Sequence, residues 1–323
     1  MMAVTIANTL KQKNTFAIVS HIMPDGDSIG SMLALYSVLS RLKKDVDVFT
    51  NDNIPSIYSF LPNFKVIKTC GKSDKLYDVL IVLDCGDIER TGNCSLLSAK
   101  SSLTINIDHH GTNTLFANLN LVDTNASATG ELIYQIIKLM GIDILKDEAV
   151  CIYTSILTDT GSFRYSNTTS ITHQIAGDLI NTGVDFGLIY NKIYNDFRYE
   201  DIKLMGKAIG SLELFNNGRI AYMQLLKNDI DNLSIKEVNT SNFIDYARDI
   251  NTVEVAVFIK EITTDEYKIS LRSKYLVDVK AICEKFGGGG HVKAAGCTIK
   301  GNIRNVKNII IEELQFSLGN DIL

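Results

Sequence analysis

Residues 15–20 (TFAIVS) form an unbroken apolar, β-rich run, which predicts a strand buried on both faces. Over residues 28–42 the period changes. Ile29, Met32, Leu33, Tyr36 and Leu39 recur at helical spacing and predict a helix. Residues 45–50 (DVDVFT) alternate like a strand, and 78–83, 103–107 and 117–122 are further strand candidates. Residues 131–140, 148–157 and 172–180 return to the helical period. Strands alternating with helices predict an α/β domain over residues 1–188, built on a mostly parallel sheet with flanking helices.

Residues 189–210 look helical, carry charged stretches such as FRYEDIK, and are expected to be a helical linker. Beyond them, strands are predicted at 219–225, 253–259 and 267–271, and helices at 243–250, 279–286 and 306–316. Residues 211–323 therefore read as a smaller mixed α/β domain.

Composition supports a soluble two-domain protein: 323 residues, 46% hydrophobic, 21% charged and three prolines. The longest apolar runs, such as VLIVL at 79–83, are far too short to span a bilayer, and no signal peptide is expected. Cys70, Cys85, Cys94, Cys151, Cys283 and Cys297 form no C-x-x-C pair and read as reduced thiols of a cytoplasmic protein. The net charge of −5 argues against a long nucleic-acid-binding surface. From Asn216 onward, 14 Lys and Arg balance 14 Asp and Glu, so the whole excess lies in the first two thirds. An acidic region of that kind would need added cations to act on phosphates.

The chemistry gathers at strand ends. The first strand runs into HIMPDGDS, with His21, Asp25 and Asp27. The run DVLIVLD delivers Asp84, LTINIDHH delivers Asp108, His109 and His110, and SILTD presents Asp159. Singly, each has an ordinary reading: a D-x-D in a turn, an N-cap, a surface His pair. In a parallel sheet, however, the strand ends meet at one edge, where ligands gather. At least four carboxylates, gathered there with three imidazoles, stay costly to bury unless cations neutralise them. Two divalent ions suit the count. Mixed carboxylate and imidazole ligands favour Mn²⁺, with Co²⁺, Zn²⁺ or Fe²⁺ as alternatives; Mg²⁺ prefers oxygen-only shells. Such a pair can lower the pKa of a shared water toward neutrality.

In this order, HIMPDGDS, VLDCGD, IDHHGT, VDTNASATGELIY and TDTGSFRYSNT resemble the DHH phosphoesterases, and FGGGGHVKAAG at 286–296 resembles their DHH-associated C-terminal domain. The resemblance covers nearly the whole chain. It looks most like the subgroup that degrades very short RNA (nanoRNA) and removes the 3′-phosphate of adenosine 3′,5′-bisphosphate (pAp). It implies one metal held by His21, Asp25 and Asp84, and a second held by Asp27, Asp84, His109 and Asp159. Asp84 would bridge both, Asp108 would orient a ligand histidine, and His110 would face the scissile phosphate. Met23 stands where relatives often have Asn, and is expected to affect packing only.

Alternatives stay open within and beyond this class: a cyclic-di-AMP or pApA phosphodiesterase, an inorganic pyrophosphatase, or a nucleotide-binding sensor without catalysis. The C-terminal domain lacks the S-R-K-K-Q stretch of family II pyrophosphatases, which argues against pyrophosphate. The expected partners are short RNA and mononucleotides, with no membrane and no long nucleic-acid track; monomer and homodimer both remain open.

In the second domain, four glycines in a row, Gly287 to Gly290, exceed what a helix end needs. Backbone approach to a phosphate or base explains Gly288, Gly289 and Gly290, with His291 beside them. Arg272 resembles the family's phosphate-binding arginine and could clamp a phosphate bidentately. Hydrolysis is thus expected in the first domain and substrate grip in the second, with a cleft between. His173 reads as an ordinary helix residue, Lys43 and Lys44 as a solvated helix end, and residues 124–126 as the cap of the following helix. Phe163 and Arg164 read as substrate neighbours through Asp159.

Overall fold

The structure, a computed structural model, describes residues 1–71, 75–231, 233, 240 and 242–319. They divide into two compact units, Met1–Asp196 and Phe197–Leu323.

The first unit begins with helix α1 (Met2–Gln12), followed by β1 (Thr15–Val19), α2 (Gly26–Arg41), β2 (Asp45–Thr50), β3 (Ile67–Thr69) and β4 (Tyr77–Leu83). A 3₁₀ stretch, Ile88–Lys100, kinks at Gly92 and leads into β5 (Ser101–Asp108) and β6 (Leu119–Val122). Helices α3 (Thr129–Leu139), α4 (Lys146–Asp159), α5 (Ser170–Asn181) and α6 (Phe186–Tyr190) complete it. The sheet order is β3-β2-β1-β4-β5-β6 and every pairing is parallel. Strand order reverses between β1 and β4, and a sheet wound in this way opens a crevice at that point beyond the strands' carboxyl ends.

The central strands are apolar throughout because both faces are covered. Val79, Ile81 and Leu83 face the core made with α1 to α4. Leu80 and Val82 face the opposite core, which includes Cys94 and Leu97 of the 3₁₀ stretch. This is the period-2 alternation of a strand buried on both sides.

The second unit holds α7 (Tyr199–Gly210), β7 (Glu213–Phe215), β8 (Ile220–Leu225), α8 (Lys227–Asp231), α9 (Phe243–Arg248), β9 (Val255–Thr263) and β10 (Glu266–Ser273). It continues with α10 (Val279–Glu284), β11 (Gly289–His291), β12 (Ala294–Lys300) and α11 (Ile303–Ser317). Its sheet runs β11-β12-β10-β9-β8-β7, antiparallel except for β8 with β9.

Several expectations are corrected. Residues 189–210 are not one helix: a π-helical turn, Asn191–Asn195, follows α6, and the chain is non-helical from 196 to 198 before α7. Cys70 and Cys94 are joined in a disulfide, their Cα atoms 5.5 Å apart. Cys70, just past β3, and Cys94, in the 3₁₀ stretch, meet on one face of the sheet, a proximity that sequence spacing conceals. The other four cysteines are free and buried. Met23 does not pack: it is exposed, with φ of +53°, a region that Asn tolerates better than Met. Among the described residues, no helix is long and apolar enough to cross a membrane.

Candidate active site

Asp25, Asp27, Asp84, Asp159 and the three histidines converge in the first unit. His21 lies two residues past β1, and its Nδ1 bonds the Ile22 carbonyl at 2.7 Å. Its Nε2 lies 3.4 Å from Asp84 Oδ2 and 3.8 Å from Asp25 Oδ1. Asp25 caps α2, accepting the Ser28 N–H at 3.1 Å. Asp84 directly follows β4 with a left-handed φ of +54°, a costly conformation for a residue other than glycine and one concentrated at functional sites. Its Oδ1 lies 3.6 Å from both His109 Nε2 and His110 Nδ1. One carboxylate thus addresses His21 with one oxygen and His109 and His110 with the other.

Asp27 is buried in the first turn of α2. Its carboxylate accepts the N–H groups of Thr129 at 2.8 Å and Gly130 at 3.2 Å, and hydroxyls of Ser31 and Ser155. It therefore caps α3, whose own preceding residue, Ala128, offers no cap. This corrects the expected local cap at 124–126. Small residues permit the arrangement. A Cβ on Gly30 would come within 2.4 Å of the Cys151 carbonyl oxygen in α4, so α2 and α4 approach closely only with glycine there.

His109 Nδ1 bonds the Ala126 carbonyl at 3.1 Å, which turns Nε2 toward three carboxylates. Asp159 Oδ2 is 3.5 Å away, and Asp27 Oδ2 and Asp84 Oδ1 are each 3.6 Å away. These separations exceed the ~2.9–3.0 Å of an N–H···O hydrogen bond. Ligand atoms about 2.1 Å from a shared ion stand roughly 3.0–3.4 Å apart, so a slight contraction would suit one. Three groups have their ligand-type atoms within 4.8 Å of one another: His21–Asp25–Asp84, Asp27–His109–Asp159 and Asp84–His109–His110. The donors fit divalent ions, and Asp84 is common to two groups.

The electrostatics agree. Burial, with the charge of Asp84 adding, pushes Asp27 up to about 7. Burial also holds Asp159 well above the usual carboxylate range, His109 opposing. Asp84 is held well below that range: burial opposes its charge, but His21, His110 and His109 outweigh it. Burial disfavours the charge on His109, yet Asp159, Asp27 and Asp84 raise it to about 9. Asp25 and Asp84 likewise raise His21 to about 12 against burial.

Asp108 engages both histidines that follow it: its Oδ1 accepts the His109 backbone N–H at 2.8 Å and the His110 Nδ1–H at 2.7 Å. Asn113 Nδ2 donates to the other oxygen at 2.6 Å and also to Asn106 Oδ1 at 2.7 Å. Asn106 is buried inside β5. Burial disfavours the charge on His110, but Asp108 raises its pKa. Sequence reasoning missed Thr129, whose hydroxyl donates to Asp84 Oδ1 at 3.2 Å, and also Ser155, Asn106 and Asn113. A polar residue inside an otherwise apolar run, as Asn106 and Ser155 are, was the available signal. Phe163 stacks on exposed His173 of α5, ring centroids 5.1 Å apart.

In the second unit, Arg272 and His291 both pair with Ala294, from either side. Directly paired residues share a face, so the two stand about 10 Å apart across three strands, with only a methyl group between. Two of the four glycines have internal reasons. A Cβ on Gly288 would meet the Gly296 carbonyl oxygen at 2.2 Å, and one on Gly290 the Ala294 carbonyl oxygen at 2.5 Å. A Cβ on Gly289 would meet nothing within 4 Å.

Fold and site together define an enzyme on a parallel α/β sheet whose centre is made of carboxylates and imidazoles fit for metal ions. Residues 15–156 match the DHH family N-terminal domain and residues 217–315 the DHHA1 domain, and the chain belongs to the DHH family. It is 32% identical to the bifunctional oligoribonuclease and PAP phosphatase NrnA of Thermus thermophilus, over 92% of this chain and 88% of the relative. It is 26% identical to the protein of the same description from Bacillus subtilis, over 92% and 93% of the respective chains. The crystal structure of an exopolyphosphatase-related protein from Bacteroides fragilis superposes with a TM-score of 0.91 at 28% identity, covering 96% of this chain and 94% of that one. RecJ of Thermus thermophilus, at 11% identity and a TM-score of 0.52, shares the fold; the match covers 97% of this chain and 54% of RecJ.

Proposed function

We propose that this hydrolase cleaves RNA of two to several nucleotides and removes the 3′-phosphate of pAp. The observation that carries the reading is the long match to relatives described as oligoribonuclease and PAP phosphatase, on a chain whose candidate ligands come together.

His21, Asp25 and Asp84 would hold one divalent ion, and Asp27, Asp84, His109 and Asp159 a second, with Mn²⁺ best suited to the donors. When bound, such ions act as Lewis acids on phosphoryl oxygens and make water a better nucleophile. His110, fixed through Nδ1 by Asp108, presents its Nε2 as a proton donor to a phosphoryl or leaving oxygen. In the second unit, Arg272 and His291 grip phosphate, with Gly288, Gly289 and Gly290 as a low floor beside them; the space over Gly289 supports this.

The test is metal-stripped protein, refilled with single ions and assayed on pAp, an RNA dinucleotide, pApA, cyclic di-AMP and pyrophosphate. Turnover of dinucleotide and pAp, highest with Mn²⁺, is expected. Pyrophosphate or cyclic di-AMP as the preferred substrate would replace this reading, and Asp84→Ala should abolish turnover with the fold intact.

A further inference from the structure

Glu254, immediately before β9, is buried, yet its carboxylate faces no cation among its described contacts. One oxygen, Oε1, accepts the backbone N–H groups of Tyr275, Leu276 and Val277 in succession. The Glu254 carbonyl accepts the Lys274 N–H at 2.9 Å. Carbonyls are fixed as well: Lys293 Nζ donates to that of Tyr275 at 2.7 Å, and Ser273 Oγ to that of Val277 at 2.7 Å. The segment after β10 is thus bonded at residue after residue.

What this rigid segment displays is apolar. Val277 turns inward, but Tyr275 is 79% exposed and Leu276 71%. The Tyr275 side chain makes no hydrogen bond or ring contact among the described residues. Val292, also exposed, lies in the turn after His291, and its carbonyl accepts the Val279 N–H at 2.9 Å, which ties that turn to the same segment. Tyr275 follows Arg272 by three positions, at most about 10 Å between Cα atoms. An exposed aromatic side chain on well-bonded backbone therefore lies within a short reach of chain from the strand end that carries Arg272. That is the complement of a nucleotide, whose flat base and anionic phosphate are joined through one sugar.

We propose that Tyr275 is the stacking platform for a nucleobase of the substrate, and so a residue that sets affinity for nucleotides over other phosphate esters. The proposal rests on the nucleotide-hydrolase reading above. Backbone already ordered leaves only the two side-chain torsions of Tyr275 to be fixed on binding, which keeps the cost of a stacking contact low. Stacking tolerates any base, because each has a π-face, so Tyr275 would confer grip without base selectivity.

The test compares wild type, Tyr275→Ala and Tyr275→Phe, all Mn²⁺-loaded, on a 5′-phosphorylated adenine dinucleotide and on its abasic analogue. Tyr275→Ala should raise KM for the dinucleotide about 5- to 150-fold with kcat nearly unchanged, and Tyr275→Phe should restore it. On the abasic analogue the three proteins should agree. A 2-aminopurine dinucleotide bound to Asp84→Asn protein should lose fluorescence, and regain it when Tyr275→Ala is added. Wild-type turnover with an unaltered KM in Tyr275→Ala overturns this proposal alone, as does a Tyr275→Ala protein that falls from dimer to monomer, which would make the patch a contact between copies. A wild type that turns over no nucleotide overturns the functional reading and this proposal with it.

Discussion

The Asp27 carboxylate accepts the backbone N–H of Thr129 across 2.8 Å, joining residues 102 positions apart. A candidate metal ligand is thereby also the cap of a helix to which it does not belong. One oxygen faces Thr129 and His109, while the other takes Gly130, Ser31 and Ser155. The positive end of α3 and the hydroxyls hold the group in place before any ion arrives.

That dual role separates two substitutions. Asp27→Asn keeps an oxygen for the cap but loses the charge, and should lower metal content by about one ion per chain and turnover by about 10²-fold or more, with the melting temperature of the metal-stripped protein little changed. Asp27→Ala should do the same and also cost about 1–2 kcal/mol of stability through the lost cap. Metal analysis and thermal melts distinguish them; full metal content in both would contradict the assignment.

The Asp108–His110 pair predicts effects on rate without effects on metal content. His110→Ala should lower kcat about 10²–10⁴-fold. In Asp108→Asn, an amide nitrogen must face either His110 Nδ1–H or Asn113 Nδ2–H, both donors, so the imidazole loses its fixed orientation. A loss of about 10–100-fold is expected. The double variant should resemble His110→Ala alone, since the two act as a unit. Additive losses would show that Asp108 acts by another route.

Gly30→Ala sets two magnitudes against each other. Alanine favours a helix interior by about 1 kcal/mol over glycine. Here its Cβ would press on a backbone carbonyl, which cannot rotate away as a side chain can. Overpacking of about 1–3 kcal/mol should win. The variant is expected to melt several degrees lower and to bind metal more weakly, because α2 carries Asp27. A higher melting temperature would refute the close α2–α4 contact.

Asp47, on β2, accepts hydrogen bonds from Lys68, Lys75 and Tyr77. Burial works against its charge, but these partners bring its pKa down to about 2. A carboxyl whose folded pKa lies below its unfolded value stabilises fully above about pH 4, and that contribution fades as pH falls toward 2. Lys68 is largely exposed and solvent screens it, so about 1–2 kcal/mol is expected. Asp47→Asn should melt lower than wild type at pH 7, and the difference should shrink steadily below pH 4. A constant difference across that range would contradict the linkage.

Much of the site was legible because each ligand follows an apolar run, and period-2 burial makes such runs conspicuous. Asp84 after VLIVL and Asp108 after LTINI needed no tertiary knowledge. What escaped was decided by contacts between distant segments. Nothing local to Cys70 announces Cys94, and nothing around Ala128 announces a cap from Asp27. The glycine run looked like excess because the sequence does not show β12 pressing on Gly288 and Gly290. Adjacent imidazoles look alike in sequence; only the partners of their Nδ1 atoms, the Ala126 carbonyl and the Asp108 carboxylate, tell His109 from His110.

The groups that could hold metal ions arrive from four separate places along the chain: the ends of β1, β4 and β5, and the end of α4. No single hairpin or helix retains more than a fragment of the set, so partial melting cannot keep it. Loading with cations and cooperative folding of the first unit then become one linked equilibrium. Chelators should act on this protein as mild denaturants, and the melting temperature should climb with free Mn²⁺ concentration as it would with any ligand confined to the native state.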